Sequence, residues 1–379
     1  MAKVKKRKLS KVSKLLIKIL IVALVIVLVP CGVRIYKSSN LKKLKYDHEA
    51  IENIVTKKVY KDVIDIGENK TINRVVKEKE FDKKKIKTYA KIETNNQKNL
   101  AKNINLLLGK GYNTTEISMI LLHSTTAITD EFAKKDYIEN ISNYLKYDYA
   151  KTKNIDRYLA YYKLTRDSYD NIVTFVNIGL DREYYTETNI TDKYSIDMIV
   201  NKYNGLTENF VSNNLEKIPS EYCKDAKAEE FLTKDALDAY KEMLSAAQAE
   251  GYDLLVNSAY RSYKDQEEVY QTYYNLYGEA YVKKYAARPG YSEHQTGLAL
   301  DVASKSNSIF EQSKEFTWMK ENAYKYGFVL RFPKNKVDIT GFKYEAWHYR
   351  YVGKDIAKYM YDNDLTFDEY YARFLDKTK

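Results

Sequence analysis

The chain of 379 residues is poor in the groups that usually brace or mark a secreted protein: two cysteines, four prolines, four histidines and two tryptophans. Cys31 falls inside an apolar run and Cys223 stands alone in the polar remainder. An internal disulfide is therefore excluded there, and the fold must rest on its core, for which this length suffices. Acidic residues are missing from positions 1–37, which carry ten of the 63 Lys and Arg and leave 53 basic against 52 acidic residues downstream. The net charge of +11 is thus the charge of a tail. Without a basic surplus in the body of the chain, nucleic acid drops out as a partner.

The basic tail, residues 1–14, runs into the single long apolar stretch, Leu15 to Tyr36, with ILIVALVIVLVPCGV at its centre. Its length suits a membrane span if Lys18 snorkels to the interface. Positive charge on the N-terminal flank predicts a cytoplasmic N-terminus, with everything after residue 37 outside the cell. No small-x-small cleavage site follows the run, and Pro30 ahead of Cys31 fits a lipoprotein box poorly. An uncleaved anchor in the cell membrane is the expectation.

Residues 38–92 are charged and lack long apolar runs, which suggests a stalk or small irregular module with strand-like pieces at Val59-Tyr60 and Val63–Ile66. Residues 93–200 read as a helical module; its role is open, with an unidentified protein or the cell wall as partner. His123 on an apolar helix is expected to be a packed histidine, and His48 to face solvent. NKYNGLTENFVSNNLEKIPSE, 201–221, reads as an extended connector. Residues 201–379 show sharper patterning. Thr233 is expected to cap a helix whose apolar face runs from Ala236 to Ala247 and closes at Gly251. LLVNSAYR, GLALDVA, FVLRF and KYEAWHYRYV read as strands, with helices between and after them. Helices mixed with strands in no strict alternation predict an α+β fold.

The chemistry concentrates in RPGYSEHQTGLALDV, 288–302, where an aspartate sits in an apolar strand and needs a positive partner. His294 and Asp301 are an odd number of residues apart and would face opposite ways on one strand. Gln295-Thr296-Gly297 interrupts the strand, which lets His294 sit on a loop while Asp301 points inward. With His348, three residues after Glu345, these side chains could form a three-ligand catalytic zinc site, and Glu345 is placed to act as its base. Asp301 paired with a basic residue, and His348 as an ordinary strand histidine, are the alternatives. Glu293 and Gln295 could be solvent-facing loop.

SAYRS (258–262) with Gln266, PGYSEHQTGLALDV (289–302) and EAWHYRYVG (345–353), in that order, resemble the VanY-type zinc D-alanyl-D-alanine carboxypeptidases of the LAS metallopeptidase group, which share S-x-H-x6-D and E-x-x-H segments. Ala259 and Ala346 stand where that family commonly has Gly and Pro. The resemblance covers about residues 200–365 and implies a small antiparallel sheet flanked by helices. It also implies Zn2+ held by His294, Asp301 and His348, with Glu345 as general base and Arg261 stabilising the oxyanion. Arg261, Gln266, Ser292 and Trp347 would contact the substrate, a peptidoglycan stem peptide that loses its terminal D-alanine. An endopeptidase or D-Ala-D-Ala dipeptidase on the same fold, or a non-catalytic wall-binding scaffold, are the rival readings.

Overall fold

The computed structural model describes residues 11–377. The basic residues 1–10 of the tail lie outside the described part. By its contacts the chain divides into two compact units: one runs to Lys146 and includes residues 151–153, while the other holds residues 147–150 and continues from Asn154.

In the first unit, helix Lys11–Lys43 leaves the side chains of its apolar run exposed, among them Leu20, Ile26 and Val27. Its length and composition fit a membrane anchor or a signal segment alike. Beyond it the unit is a series of short helices. The strand-like pieces expected near Val59–Ile66 are instead helix Tyr60–Ile66, because Val59 and Val63, four apart, both turn into the core. Caps fix the starts: the side chains of Asp47, Asn69 and Asn113 each accept a hydrogen bond from a backbone N–H of their own first turn. Successive helices are tied by side-chain bonds spanning about one helical repeat, such as Thr71 to the Ile92 carbonyl and Gln97 to the Leu121 carbonyl. His48 faces solvent as expected, and His123 forms the C-cap of helix Thr114–Leu122, half-buried at its end.

The second unit opens with helices Ile155–Thr165 and Tyr169–Ile178. Segment 201–221 is more than a connector: Asn201, Lys202 and Tyr203 are buried, and Asn204–Leu206 and Leu215–Lys217 form short strands. The centre is a four-stranded antiparallel sheet of β1 (Leu254–Ser258), β2 (Ala299–Ser304), β3 (Phe328–Phe332) and β4 (Glu345–Tyr351) in the order β1-β2-β4-β3. Thr233 stands at the N-cap of helix α1 (Lys234–Ala249) but its side chain makes no capping hydrogen bond; the helix buries Leu237, Tyr240, Met243 and Leu244 in one core with Leu254, Val256, Leu300 and Val302 of β1 and β2. Helix α2 (Tyr263–Tyr277) follows β1 through a capping box between Ser262 and Asp265. Helices α3 (Lys314–Asn322) and α4 (Lys354–Asp362) complete the α+β unit.

Candidate metal centre and active-site cleft

Strand register places the first two acting groups. Asp301 on β2 and His348 on β4 are direct cross-strand partners, so their side chains leave the same face of the sheet. His294 comes from the turn Glu293–Thr296, which ends at Gly297 with φ +68°. A Cβ at Gly297 would lie 2.6 Å from Leu215 Cδ2, so the turn that aims His294 at the sheet needs glycine twice over, for space and for backbone. Glu345 starts β4 three residues before His348 and in regular pleat would face away. Between the pairs Leu330–Tyr349 and Phe332–Glu345, however, the register slips, and this irregularity brings Glu345 back to the His348 side.

Nε2 of His294 and Nδ1 of His348 lie 3.5 and 3.2 Å from Asp301 Oδ1, and the rings stand edge to face at 4.9 Å. One ligand atom from each of the three residues falls within 4.8 Å of the others, the grouping a single ion requires. Asp301 Oδ1 is shielded from solvent yet has no hydrogen-bond partner among the described residues. An acceptor orphaned at the point where two imidazole nitrogens converge fits a cation. The donor set of two histidines and one aspartate suits zinc.

The electrostatics follow from burial. Burial opposes ionisation of Asp301, but His294 and His348 overcome it and hold its carboxyl well below the usual range. Burial lowers His294, while His348, despite burial, is drawn up to about 9 by Asp301 and Glu293. Glu345, with Oε2 3.8 Å from His348 Nδ1, is pushed up to about 7, chiefly by burial. A carboxyl poised there can exchange a proton near neutral pH.

These groups line a cleft of about 410 Å³ with Arg261, Gln266, Ser292 and Trp347 at its walls. All the sequence-predicted site residues therefore share one cavity. Arg261 donates to Gln266 Oε1 at 2.8 Å and Ser258 Oγ at 3.1 Å, and its backbone N–H donates to the His294 carbonyl. Gln266 is engaged at both ends, since its Nε2 donates to the Ala287 carbonyl. It braces the arginine as much as it lines the cleft. Ser292 is buried at the cleft wall, whereas Trp347 is 44% exposed at the rim. Ala259, in the family's glycine position, is fully buried and its carbonyl faces His294 Nδ1 at 2.5 Å. That contact leaves Nε2 for Asp301's side of the site.

Glu293 and Gln295, left unassigned by the sequence because either could be solvent-facing loop, are buried. Gln295 donates to the Thr207 carbonyl at 3.1 Å, and Glu293 is surrounded by Arg331, Arg350 and His348. Tyr273, Tyr281 and Tyr285 form a further aromatic wall that composition alone did not single out.

The chain resembles known proteins over this same unit. The D-alanyl-D-alanine carboxypeptidase (VanY) family model matches residues 229–354. The carboxypeptidase candidate YodJ of Bacillus subtilis is 40% identical over 222 residues, covering 55% of this chain and 81% of YodJ. A D-alanyl-D-alanine carboxypeptidase of Enterococcus faecium is 37% identical over 141 residues, 37% of this chain and 44% of that protein. Among solved structures, a mutant of the D,D-pentapeptidase VanY from the VanB-type resistance cassette, in complex with Zn(II), is 30% identical with a TM-score of 0.40, covering 46% of this chain and 97% of that one. The chain belongs to the VanY D-alanyl-D-alanine carboxypeptidase family.

Proposed function

We propose that this protein is a membrane-anchored, outward-facing zinc carboxypeptidase that removes the terminal D-alanine from peptidoglycan stem peptides. The observation that carries the reading is the convergence of His294, Asp301 and His348 around the unpartnered Asp301 Oδ1, with Glu345 in the same cleft. His294, Asp301 and His348 would hold the ion. Zinc in such a three-ligand site supplies Lewis acidity and makes water acidic near neutral pH.

The chain's own groups account for the rest. Glu345 Oε2 takes the proton of the attacking water and later returns it to the departing amine of D-alanine. Arg261, fixed by Gln266 and Ser258, offers a guanidinium to the oxyanion that develops on the scissile carbonyl. Ser292 supplies a polar contact to the peptide, and Trp347 with the tyrosine wall excludes water from its apolar parts. Helix Lys11–Lys43 would hold the catalytic unit beside newly exported wall, with the basic tail in the cytoplasm.

Mass analysis of defined pentapeptide and tetrapeptide stems after incubation tests the reading. Loss of one D-alanine is expected, abolished by a chelator and restored by zinc. Release of the intact dipeptide D-Ala-D-Ala, or cleavage only within cross-linked wall, would replace it with a dipeptidase or endopeptidase. No cleavage at all would leave a wall-binding scaffold.

A further inference from the structure

Glu293 is the residue in the cleft for which the reaction above has no use. It sits beside His294, 3% exposed, with Oε2 3.4 Å from Nε2 of His348. Its other oxygen accepts from Arg331 Nε at 2.8 Å and Arg350 Nη1 at 3.3 Å. Both arginines are almost wholly buried, on β3 and β4. Arg331 continues to Asp368 at 2.6 Å, whose second oxygen accepts from Asn201 Nδ2 at 2.6 Å. Arg350 continues to the carbonyls of Ile196 and Met198. Two carboxylates and two guanidinium groups thus form a buried, charge-balanced cluster that meets the proposed metal site at the His348 ring.

Such a cluster is expensive to bury, and an apolar packing of equal volume would often be no less stable. What it does provide is direction. A carboxylate at Nε2 favours the tautomer with its proton there and leaves the Nδ1 lone pair toward Asp301, 3.2 Å away. The two arginines in turn stop Glu293 from rotating into the site as a ligand itself. We propose that Glu293 is a positioning residue that fixes the tautomer and orientation of His348 for metal binding through Nδ1, and that Arg331 and Arg350 hold it in place. This rests on the zinc reading above.

The test is zinc affinity of the full-length protein by chelator competition, with the visible spectrum of its cobalt-substituted form. Glu293→Asp keeps the charge that the arginines need but withdraws the carboxylate from the ring; Glu293→Gln keeps length and removes charge. Both are expected to bind zinc about 10- to 100-fold more weakly than the parent and to alter the cobalt spectrum. Variants that bind zinc within about threefold of the parent with an unchanged spectrum, and merely melt earlier, would overturn the proposal and leave Glu293 as part of a structural ion cluster. If neither variant folds, nitrogen NMR of the histidine-labelled, zinc-loaded parent decides: Nε2 of His348 must carry the proton, and the opposite tautomer overturns the assignment. A parent that binds no zinc brings down both readings, whereas a zinc-binding parent with unaffected variants brings down this one alone.

Discussion

Replacing Glu345 by glutamine isolates the proton-transfer step from everything else in the cleft. Three carboxylates line that cavity: Asp301 belongs to the metal trio, and Glu293 is locked by two arginines, so neither can stand in for the third. The loss should therefore fall in the upper part of the range for a general base, about 10³- to 10⁴-fold in turnover, or about 4–5 kcal/mol of barrier. Glutamine matches the glutamate in volume and Glu345 is not one of the three converging ligands, so bound zinc should stay near one equivalent. The apoprotein should melt no lower than the parent, because an amide costs less to bury than a carboxylate. D-alanine release from a stem peptide, read beside zinc content, is the assay. Turnover above about a tenth of the parent's would mean the proton goes elsewhere. Loss of zinc would mean that Glu345 is a ligand.

Three further outcomes are expected. Arg261→Lys should retain zinc but lower turnover at least about tenfold, since an ammonium cannot keep the Gln266 and Ser258 contacts and still face the substrate; parental steady-state kinetics would refute this. Arg331→Met strands Glu293 and Asp368 in the core, a cost of about 3–5 kcal/mol, and should lower the melting temperature by about 10 °C; a fall under about 2 °C would show that the cluster is not held as described. Lys202 is fully buried, its ammonium against the Lys283 carbonyl and over the rings of Phe342 at 4.2 Å and Tyr184 at 4.5 Å. Burial, with help from Arg288, pushes it down from 10.5 to about 8. The unfolded chain then binds this proton more tightly, so between about pH 8 and 10 the parent should gain about 2 kcal/mol relative to Lys202→Met. Denaturant midpoints of the two proteins at both pH values check it, and a constant difference would refute it.

Much of the catalytic unit was legible in its sequence because its strands are short, apolar and separated by strong turn signals. GLALDVA and FVLRF became β2 and β3 almost residue for residue. The trio was picked out by the likeness of three segments to one family; an aspartate in an apolar strand asks for a partner, but alone it left a basic residue as open as a metal. Glu293 was not legible, since a glutamate after a Pro-Gly turn reads as surface, and the arginines that bury it come 38 and 57 residues later. A signal did exist: Arg331 and Arg350 each interrupt an apolar strand, and a buried guanidinium needs an acid. The return of Glu345 to the His348 face also escaped, because it depends on a slip in strand pairing that a single strand's alternation does not encode. Near Val59–Ile66 the alternation of VIDI imitated a strand, while burial four residues apart chose a helix.

The helices at 155–178 bear on where this enzyme could be shortened. Arg373, near the C-terminal end, reaches back to Thr174 Oγ1 at 3.0 Å and Asp170 Oδ2 at 3.2 Å, and Ile178 packs with Tyr203 and Ala372. The two ends of the catalytic unit are thus clasped together. A shortened protein begun at residue 201, ahead of the family match at 229–354, would unfasten that clasp and bare an oily seam. One begun ahead of Tyr147 would keep it shut.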